Sequence, residues 1–275
     1  MLLTIQSRTR LNNGVKIPRL RLGVYQSPPG RITQRVVKYA LKIGYRHIDT
    51  AMVYGNETDV GAALRESGLT RGEVFITTKL WNSNQVGYDS TLQACEGSLR
   101  RLGLTYIDLY LIHWPAQGIS NSIEIWRAMV HLLREGKSRA IGVSNYTIDD
   151  LKEILQDSDF VPAVNQVEFH PFLYQKDLLS FCEKNSIQLE AYSPLTRGKR
   201  LNHPTVLAVA KKYGNKTPAQ VMIRWTLQHN LVVIPKSVHE NRILENSQVF
   251  DFELRAEDMK LLESLNENLQ TVFLD

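Results

Sequence analysis

The feature that most constrains the fold of this chain is a regular alternation of short apolar segments with longer amphipathic ones. The short segments are rich in Ile, Val and Leu without strict alternation, which is typical of parallel strands buried on both faces. Eight are predicted as strands, at 20–24, 45–49, 74–79, 106–113, 138–144, 163–169, 187–193 and 231–237. Helical periodicity follows each of them, at 32–43, 57–67, 88–102, 121–135, 148–157, 175–185, 204–213 with 218–229, and 239–247. Eight such units in one chain favour a closed (β/α)₈ TIM barrel over an open doubly wound sheet.

Two additions to the barrel are expected at its ends. Near the start, short alternating segments flank Asn12, Asn13 and Gly14, which is the turn chemistry of a β-hairpin. We expect this hairpin to close the bottom of the barrel. Near the end, an extra amphipathic helix begins at about Ala256. No linker or low-complexity segment interrupts the pattern, so residues 1–275 are predicted to form one domain.

Composition narrows the function classes. The net charge of +5 permits a phosphate-rich partner, but the basic residues are scattered over amphipathic helices, where a solvated face is the simpler interpretation. The longest apolar runs are far short of a membrane span, and the N-terminus lacks the apolar centre of a secretory signal. Cys95 and Cys182 have no CxxC spacing, so neither a disulfide framework nor a metal site is expected. We expect a cytoplasmic monomer that binds neither nucleic acid nor membranes.

Polar side chains stand where the predicted strands end. In TIM barrels this edge carries the active site, because the loops that follow the strands meet there. The residues concerned are Asp49, Lys79, His113, Ser144, Asn145, Tyr192, Ser193, Lys236 and Ser237, with Gln166 carried by the sixth strand and Tyr54 in the loop after the second strand. Each has a simpler explanation when taken alone: a helix cap, a solvated lysine or a structural histidine. Their convergence on one edge favours a common site.

Four of these groups make a proton-donating device. A tyrosine has a pKa of ~10, and a nearby ammonium can lower it toward neutrality. Lys79 is the candidate cation, and Asp49 is the carboxylate that a buried Lys79 needs. We therefore expect Tyr54 to donate a proton with a lowered pKa, while His113 hydrogen-bonds a substrate carbonyl oxygen. Tyr25, Trp81 and Trp114 are expected to give the mouth an aromatic lining, with plain core packing as the alternative.

A proton donor reduces nothing without a source of hydride. No GxGxxG motif follows a strand, so a Rossmann-type nucleotide site is not supported. The segment 234–246 instead joins the last strand to a helix N-terminus, where TIM barrels often bind phosphate. Its two cations, Lys236 and Arg242, indicate an additional phosphate such as the 2′-phosphate of NADPH.

The chain resembles the aldo-keto reductases from the N-terminal hairpin to about Leu265. The motifs that carry the resemblance, all in the order of that family, are "GYRHIDTAMVYGNE", "FITTKLWN", "LGLTYIDLYLIHWP", "AIGVSNY", "NQVEFHPF", "AYSPL", "TPAQVMIRW" and "IPKSVHENRILENSQVFDFEL". The chain looks most like the microbial and protist branch with 2,5-diketo-D-gluconate reductases and prostaglandin F synthase-like enzymes.

The resemblance implies a TIM barrel that reduces an aldehyde or ketone with NADPH and without a metal. It places the catalytic tetrad at Asp49, Tyr54, Lys79 and His113. It also implies a set of cofactor-binding residues: Gly23, Val24, Ser144, Asn145, Gln166, Tyr192, Ser193, Leu195, Lys236, Ser237, Val238, Arg242, Glu245 and Asn246. A catalytically weak NADP(H) sensor or structural barrel is the alternative that remains open.

Three departures from the pattern of the family bear on function. Arg21 replaces the first glycine of the usual Gly-x-Gly pair in strand one, and its effect is left open by the sequence. After "AYSPL" comes a basic loop from Thr196 to Arg200, which could clasp a pyrophosphate. The C-terminal tail lacks the usual arginine- and proline-containing pattern, so substrate choice is not predicted.

Overall fold

The computed structural model describes residues 3–84, 87–115, 119–214 and 216–273. Two antiparallel strands, β1 and β2, come first, and eight parallel strands, β3 to β10, follow. The strands are β1 Arg8–Arg10, β2 Lys16–Pro18, β3 Leu22–Gly23, β4 His47–Asp49, β5 Phe75–Leu80, β6 Leu109–Ile112, β7 Ile141–Ser144, β8 Val164–Glu168, β9 Gln188–Tyr192 and β10 Val232–Ile234. All of the predicted strands are therefore present, and most are shorter than the apolar segments from which they were predicted.

Helices follow the strands of the barrel as expected. They are α1 Arg31–Lys42, α2 Glu57–Arg65, α3 Tyr88–Leu102, α4 Ile119–Arg134, α5 Ile148–Asp157, α6 Lys176–Lys184, α7 Pro204–Lys212, α8 Pro218–Gln228, α9 Glu240–Ser247 and α10 Ala256–Glu263. The local sequence fixes the residue at which several helices begin. Thr147 and Asp150 form a reciprocal capping box at α5, and Thr217 and Gln220 form one at α8, where Pro218 occupies the first turn.

The sheet closes between its first and last strands, which confirms the predicted TIM barrel. The Gly23 amide donates to Pro235 O at 3.1 Å, and the Arg21 amide donates to Val233 O at 3.1 Å. A side chain at position 23 would meet Ile234 Cγ2 at 2.9 Å, so only glycine allows this close approach.

The N-terminal hairpin closes the bottom of the barrel, as predicted. Its turn is held by the Gly14 amide, which donates to Leu11 O at 2.9 Å. Leu11 and Ile17 are buried among the apolar side chains at the lower ends of the strands, in one cluster with Phe75, Leu109, Leu111, Ala140, Ala163, Val164 and Val232. The bottom of the barrel is therefore filled by apolar side chains, and the polar side chains of a site can gather only at the opposite end, where the strands have their carboxyl ends.

The chain after α10 is anchored to the opposite, open end of the barrel. The Leu269 amide donates to Phe172 O at 2.9 Å, and the Thr271 amide donates to Glu168 Oε2 at 3.0 Å. Glu168 is buried and also contacts His170, whose Nε2 lies 3.1 Å from Glu168 Oε1. This carboxylate therefore ties the tail to the end of β8. Within the described ranges, no helix is both long and apolar enough to cross a membrane.

Candidate active site

The structure brings the four residues of the predicted proton-donating device together at the open end of the barrel. Asp49 ends β4, Lys79 lies near the end of β5, and His113 directly follows β6. Tyr54 ends a 3₁₀ turn, Met52–Tyr54, in the loop after β4. Neighbouring parallel strands run toward the same end of the barrel, so consecutive units of the chain deliver these side chains to one place.

Lys79 connects the carboxylate to the phenol. Its ammonium donates to Asp49 Oδ1 at 2.7 Å and to Thr50 O at 2.9 Å. It also reaches the Tyr54 hydroxyl at 3.4 Å. Burial lowers the pKa of Lys79, and Asp49 opposes that shift by favouring the charged form. The predicted pairing of a buried lysine with a carboxylate is thus present in the structure.

The expectation of a lowered Tyr54 pKa is wrong. Burial raises the pKa of Tyr54 well above its usual value of 10, and the negative charge of Asp49 raises it further. The sequence argument considered the cation alone, whereas the side chain is partly buried and its phenolate form loses part of its hydration. The phenol therefore holds its proton over the whole ordinary pH range.

His113 lies against the rings that line the mouth. Its ring meets Tyr54 edge to face at a centroid distance of 5.6 Å and Trp81 at 5.0 Å. Burial lowers the pKa of His113 well below 6.5, and the Lys79 charge lowers it further. The imidazole is therefore neutral and has one N–H to donate. Tyr25, with its ring 5.0 Å from that of Tyr54, and Trp114 complete the aromatic lining that the sequence predicted.

A second polar group faces the first across the mouth, at the ends of β7, β8 and β9. The Ser144 hydroxyl donates to Gln166 O at 2.8 Å, and Asn145 Nδ2 donates to His113 O at 2.9 Å. The Tyr192 hydroxyl donates to Asn145 Oδ1 at 2.8 Å. Asn145 adopts a left-handed backbone with φ of 64°, which this residue type tolerates better than most. These bonds fix Tyr192 and Gln166 as one side of the cleft.

The cleft continues from these residues to α9 and has a volume of about 1000 Å³. Its outer part contains the remaining residues predicted to bind cofactor: Gly23, Ser193, Leu195, Lys236, Ser237, Val238, Arg242, Glu245 and Asn246. The Val24 side chain does not line the cleft, because it is fully buried in the hydrophobic core. The predicted set is thus brought together apart from the Val24 side chain.

The outer part fits an anionic ligand. Lys236 is exposed at the rim of the cleft, and desolvation lowers its pKa, with the Arg197 charge adding to the shift. Its ammonium contacts Gln26 O at 3.3 Å, and among the described residues no carboxylate lies within ion-pair distance of Lys236 or Arg242. Two cations without a partner carboxylate at one end of a long cleft suit the phosphates of a nucleotide.

The basic loop is engaged within the protein. Arg200 forms a salt bridge with Glu267 at 2.7 Å, and Arg197 donates to Thr271 O at 3.3 Å and to Gln26 Oε1 at 3.0 Å. In this structure the loop therefore holds the C-terminal tail against the rim of the cleft.

Sequence reasoning missed two groups of residues. Val272 and Phe273 line the cleft, and Phe273 is 67% exposed. The anchor that places them, Glu168, gives no signal in the sequence beyond its position at a strand end. The partners of Arg21, at the floor of the site, were also not identified. In the part of the chain that the structure describes, no three His, Cys, Asp or Glu side chains are grouped so that they could hold a metal ion.

A barrel with a buried Asp-Lys-Tyr chain beside a neutral histidine, and a long cleft ending in two cations, defines a nucleotide-dependent reductase of carbonyl compounds. The profile of the aldo/keto reductase family matches residues 23–267, and the chain belongs to this family. The prediction of an NADP(H)-dependent oxidoreductase is thereby confirmed at the level of the family.

Individual relatives cover nearly the whole chain. A glyoxal reductase of Bacillus subtilis (strain 168) is 49% identical over 265 residues, which are 96% of this chain and 95% of that protein. A 9,11-endoperoxide prostaglandin H2 reductase of Trypanosoma cruzi (strain CL Brener) is 48% identical over 261 residues, 94% of this chain and 91% of that protein. Among solved structures, a Gox0644 mutant in complex with NADPH is 44% identical, covers 95% of this chain and 94% of its own, and has a TM-score of 0.90.

Proposed function

We propose that the protein reduces an aldehyde or ketone to the alcohol, with Tyr54 as the proton donor and NADPH as the reductant. The observation that carries this proposal is the continuous contact from Asp49 through the buried Lys79 ammonium to the Tyr54 hydroxyl, at 2.7 and 3.4 Å. The phenol lies at the mouth of the cleft, beside the neutral His113 ring.

Each of these residues has a separate task in the proposed reaction. His113 donates its N–H to the carbonyl oxygen, which orients the substrate and polarises the C=O bond. Tyr54 keeps its proton until negative charge develops on that oxygen, and then donates it. Lys79 stabilises the phenolate as it forms, and Asp49 keeps Lys79 charged. A raised pKa suits this sequence of events, because the developing alkoxide is a far stronger base than a phenolate.

The cofactor would lie along the cleft. When bound, NADPH supplies the hydride that the carbonyl carbon accepts. Tyr192 offers a flat surface for the nicotinamide ring at the end of β9. Gln166 and Asn145 are the candidates to hold the carboxamide of that ring. Lys236 and Arg242, at the far end, would bind the 2′-phosphate. Support for this arrangement comes from the relative that was solved with NADPH at a TM-score of 0.90.

The aromatic lining favours substrates with a small apolar or planar body around the carbonyl group. Tyr25, Trp81 and Trp114 surround the position beside Tyr54 and His113. The relative named glyoxal reductase, at 49% identity, supports small dicarbonyl compounds as the first class to examine. We therefore propose glyoxals as substrates of this chain.

The test is the Tyr54→Phe variant, assayed by NADPH consumption with a glyoxal. Removing the general acid is expected to lower kcat by roughly 10³-fold, since such groups contribute 10²- to 10⁴-fold. Tyr106→Phe is the matched control, because Tyr106 packs under the Arg71 guanidinium at 4.0 Å, away from the cleft, and should retain full activity. Equal rates for Tyr54→Phe and the parent protein would refute the mechanism. Binding of NADPH without turnover of any aldehyde would favour a sensor.

We also propose that the protein acts as a monomer in the cytosol. The support for a monomer is that the proposed proton donor, its partners and the two cations of the cleft lie together within one barrel. Cys95 and Cys182 are both buried and outside any disulfide, as expected of a reducing compartment. Light scattering on the eluting protein should give a mass close to 31.4 kDa, and a dimer would contradict the monomer.

A further inference from the structure

Beneath the Asp49 and Lys79 pair lies a second, fully buried ion pair between Arg21 and Glu190. Arg21 belongs to the strand segment that enters β3, and Glu190 lies in the middle of β9. Both side chains have no exposed surface, and Arg21 Nη2 lies 2.6 Å from Glu190 Oε2. Isolated charges are very costly in such a place, and an arginine cannot give up its proton to escape the cost.

Arg21 also reaches the machinery directly above it. Its Nη2 atom lies 3.4 Å from Asp49 Oδ2, on the opposite carboxylate oxygen from the one that accepts the Lys79 ammonium. Its Nη1 atom contacts Thr77 Oγ1 at 3.4 Å and His47 Nε2 at 3.2 Å. The guanidinium is thereby held in one position, with Asp49 fixed between two cations.

Glu190 reaches a different part of the site. Gln166 Nε2 donates both to Glu190 Oε2 and to Asp49 Oδ2, each at 3.2 Å. With its amide nitrogen held by two carboxylates at the floor of the site, Gln166 is left with its amide oxygen to receive an N–H from a ligand. The same ion pair therefore determines how Gln166 is oriented toward the cleft.

The buried charges at this level balance. Arg21 and Lys79 supply two positive charges, and Asp49 and Glu190 supply two negative ones. Burial raises the pKa of Glu190, and the Arg21 charge opposes that shift. Burial and the Arg21 charge lower the pKa of His47, which is therefore neutral. Above the cluster, the Tyr54 hydroxyl contacts the Lys79 ammonium and the His113 ring packs edge to face on Tyr54. Arg8 adds a positive charge that acts on His47.

We propose that Arg21 and Glu190 are positioning residues for the reductase reaction, which together hold Asp49 for the proton-donating chain and Gln166 for the cofactor. Arg21 keeps Asp49 in place from below while Lys79 holds it from the side. Glu190 neutralises Arg21, so that the guanidinium does not draw Asp49 away from Lys79. Neither side chain touches substrate. The inference rests on the proposed function of the site above it.

Removing one member of the pair should disturb catalysis about as much as removing both, because the two residues act as one unit. In Arg21→Met, the Glu190 carboxylate is left without its cation beside Asp49. In Glu190→Gln, the Arg21 guanidinium is left with Asp49 as its nearest carboxylate and competes with Lys79 for it. The double variant Arg21→Met with Glu190→Gln retains neither stray charge.

The test compares these three variants in steady-state carbonyl reduction. Each single variant is expected to lower kcat by at least 10-fold, with KM for the carbonyl changed less than about threefold, since no substrate contact is removed. The double variant is expected to lower kcat no further than the more impaired single variant, because two residues that act as one unit do not give additive losses. If Arg21→Met fails to fold, the kcat of Glu190→Gln is compared with that of the double variant instead.

A matched control separates positioning from general stability. Arg71 forms an ion pair of the same length, 2.6 Å, with the buried Asp108 at the lower end of the barrel. Arg71→Met should lower the melting temperature while kcat stays within about twofold of the parent value. Parent-like kcat in both Arg21→Met and Glu190→Gln, or fully additive losses in the double variant, would overturn the inference.

The same assay distinguishes failure of the inference about Arg21 and Glu190 from failure of the proposed function. If the parent protein reduces carbonyls, Tyr54→Phe does not, and the Arg21 and Glu190 variants match the parent, then the inference alone is wrong. If the parent protein and Tyr54→Phe turn over equally slowly, the proposed function is wrong and the inference is overturned with it.

Discussion

Replacing Lys79 by Met isolates the electrostatic part of the proposed mechanism. The ammonium lies 3.4 Å from the Tyr54 hydroxyl oxygen. At an effective dielectric constant of ~20, a full charge on that oxygen would interact with the ammonium by about 5 kcal/mol. If roughly half of the charge has developed in the transition state, Lys79 contributes about 2.5 kcal/mol, or roughly 70-fold in rate.

The expected result is therefore a fall in kcat of roughly 70-fold with little change in KM for the carbonyl. Asp49 keeps two partners in the variant, Arg21 at 3.4 Å and Gln166 at 3.2 Å, so the protein should still fold.

The assay is NADPH consumption under single-turnover conditions, which keeps slow product release from hiding the chemical step. Lys38→Met is the control, since its salt bridge with Glu66 is exposed and contributes little. A Lys79→Met variant that folds normally and keeps kcat within threefold of the parent value would refute the proposed role of the ammonium.

Three further predictions follow from the described contacts. The pKa of Tyr54 is raised and that of His113 is lowered, so neither group should titrate between about pH 6.5 and pH 10. The lowered pKa of Lys79 sets the alkaline limit, because its ammonium must stay charged. We therefore expect kcat/KM for reduction to stay level around neutral pH and to fall only on the alkaline side; an inflection near pH 7 would contradict these directions. Arg242→Met should weaken NADPH roughly 10- to 100-fold and leave NADH nearly unchanged; equal losses measured by titration would exclude a contact with the 2′-phosphate. Gly61→Ala should lower the free energy of unfolding in urea by at least about 1–3 kcal/mol, because a Cβ there would lie 2.1 Å from Leu102 O, between α2 and α3. Gly72→Ala, which meets nothing within 4 Å, should change it by less than about 0.5 kcal/mol.

The barrel could be predicted from sequence because its elements are specified locally. Apolar runs of strand length, amphipathic helices and caps such as Thr147 and Thr217 each act over a few residues. The helices 88–102 and 148–157 begin and end where the pattern placed them. Several strands end earlier than predicted, since hydrophobicity continues into the turns that pack on the core.

The candidate site was partly predictable for a related reason. Once the barrel is given, the residue that ends each strand must face the same mouth. That geometric rule places Asp49, Lys79 and His113 together from sequence alone. It says nothing of how deeply each side chain is enclosed, and for that reason the direction of the Tyr54 pKa shift was predicted wrongly.

The sequence by itself determined the alternation of strands and helices, the closed hairpin turn and the polar residues at the strand ends, because each depends on neighbours along the chain. Only the tertiary structure decided which distant groups meet: Arg21 with Glu190, Glu168 with Thr271, and Arg200 with Glu267. The physical reason is that burial and charge pairing depend on what closes around a side chain in three dimensions. For Arg21, an unexplained charge in the sequence became one member of a balanced buried pair beneath the active site.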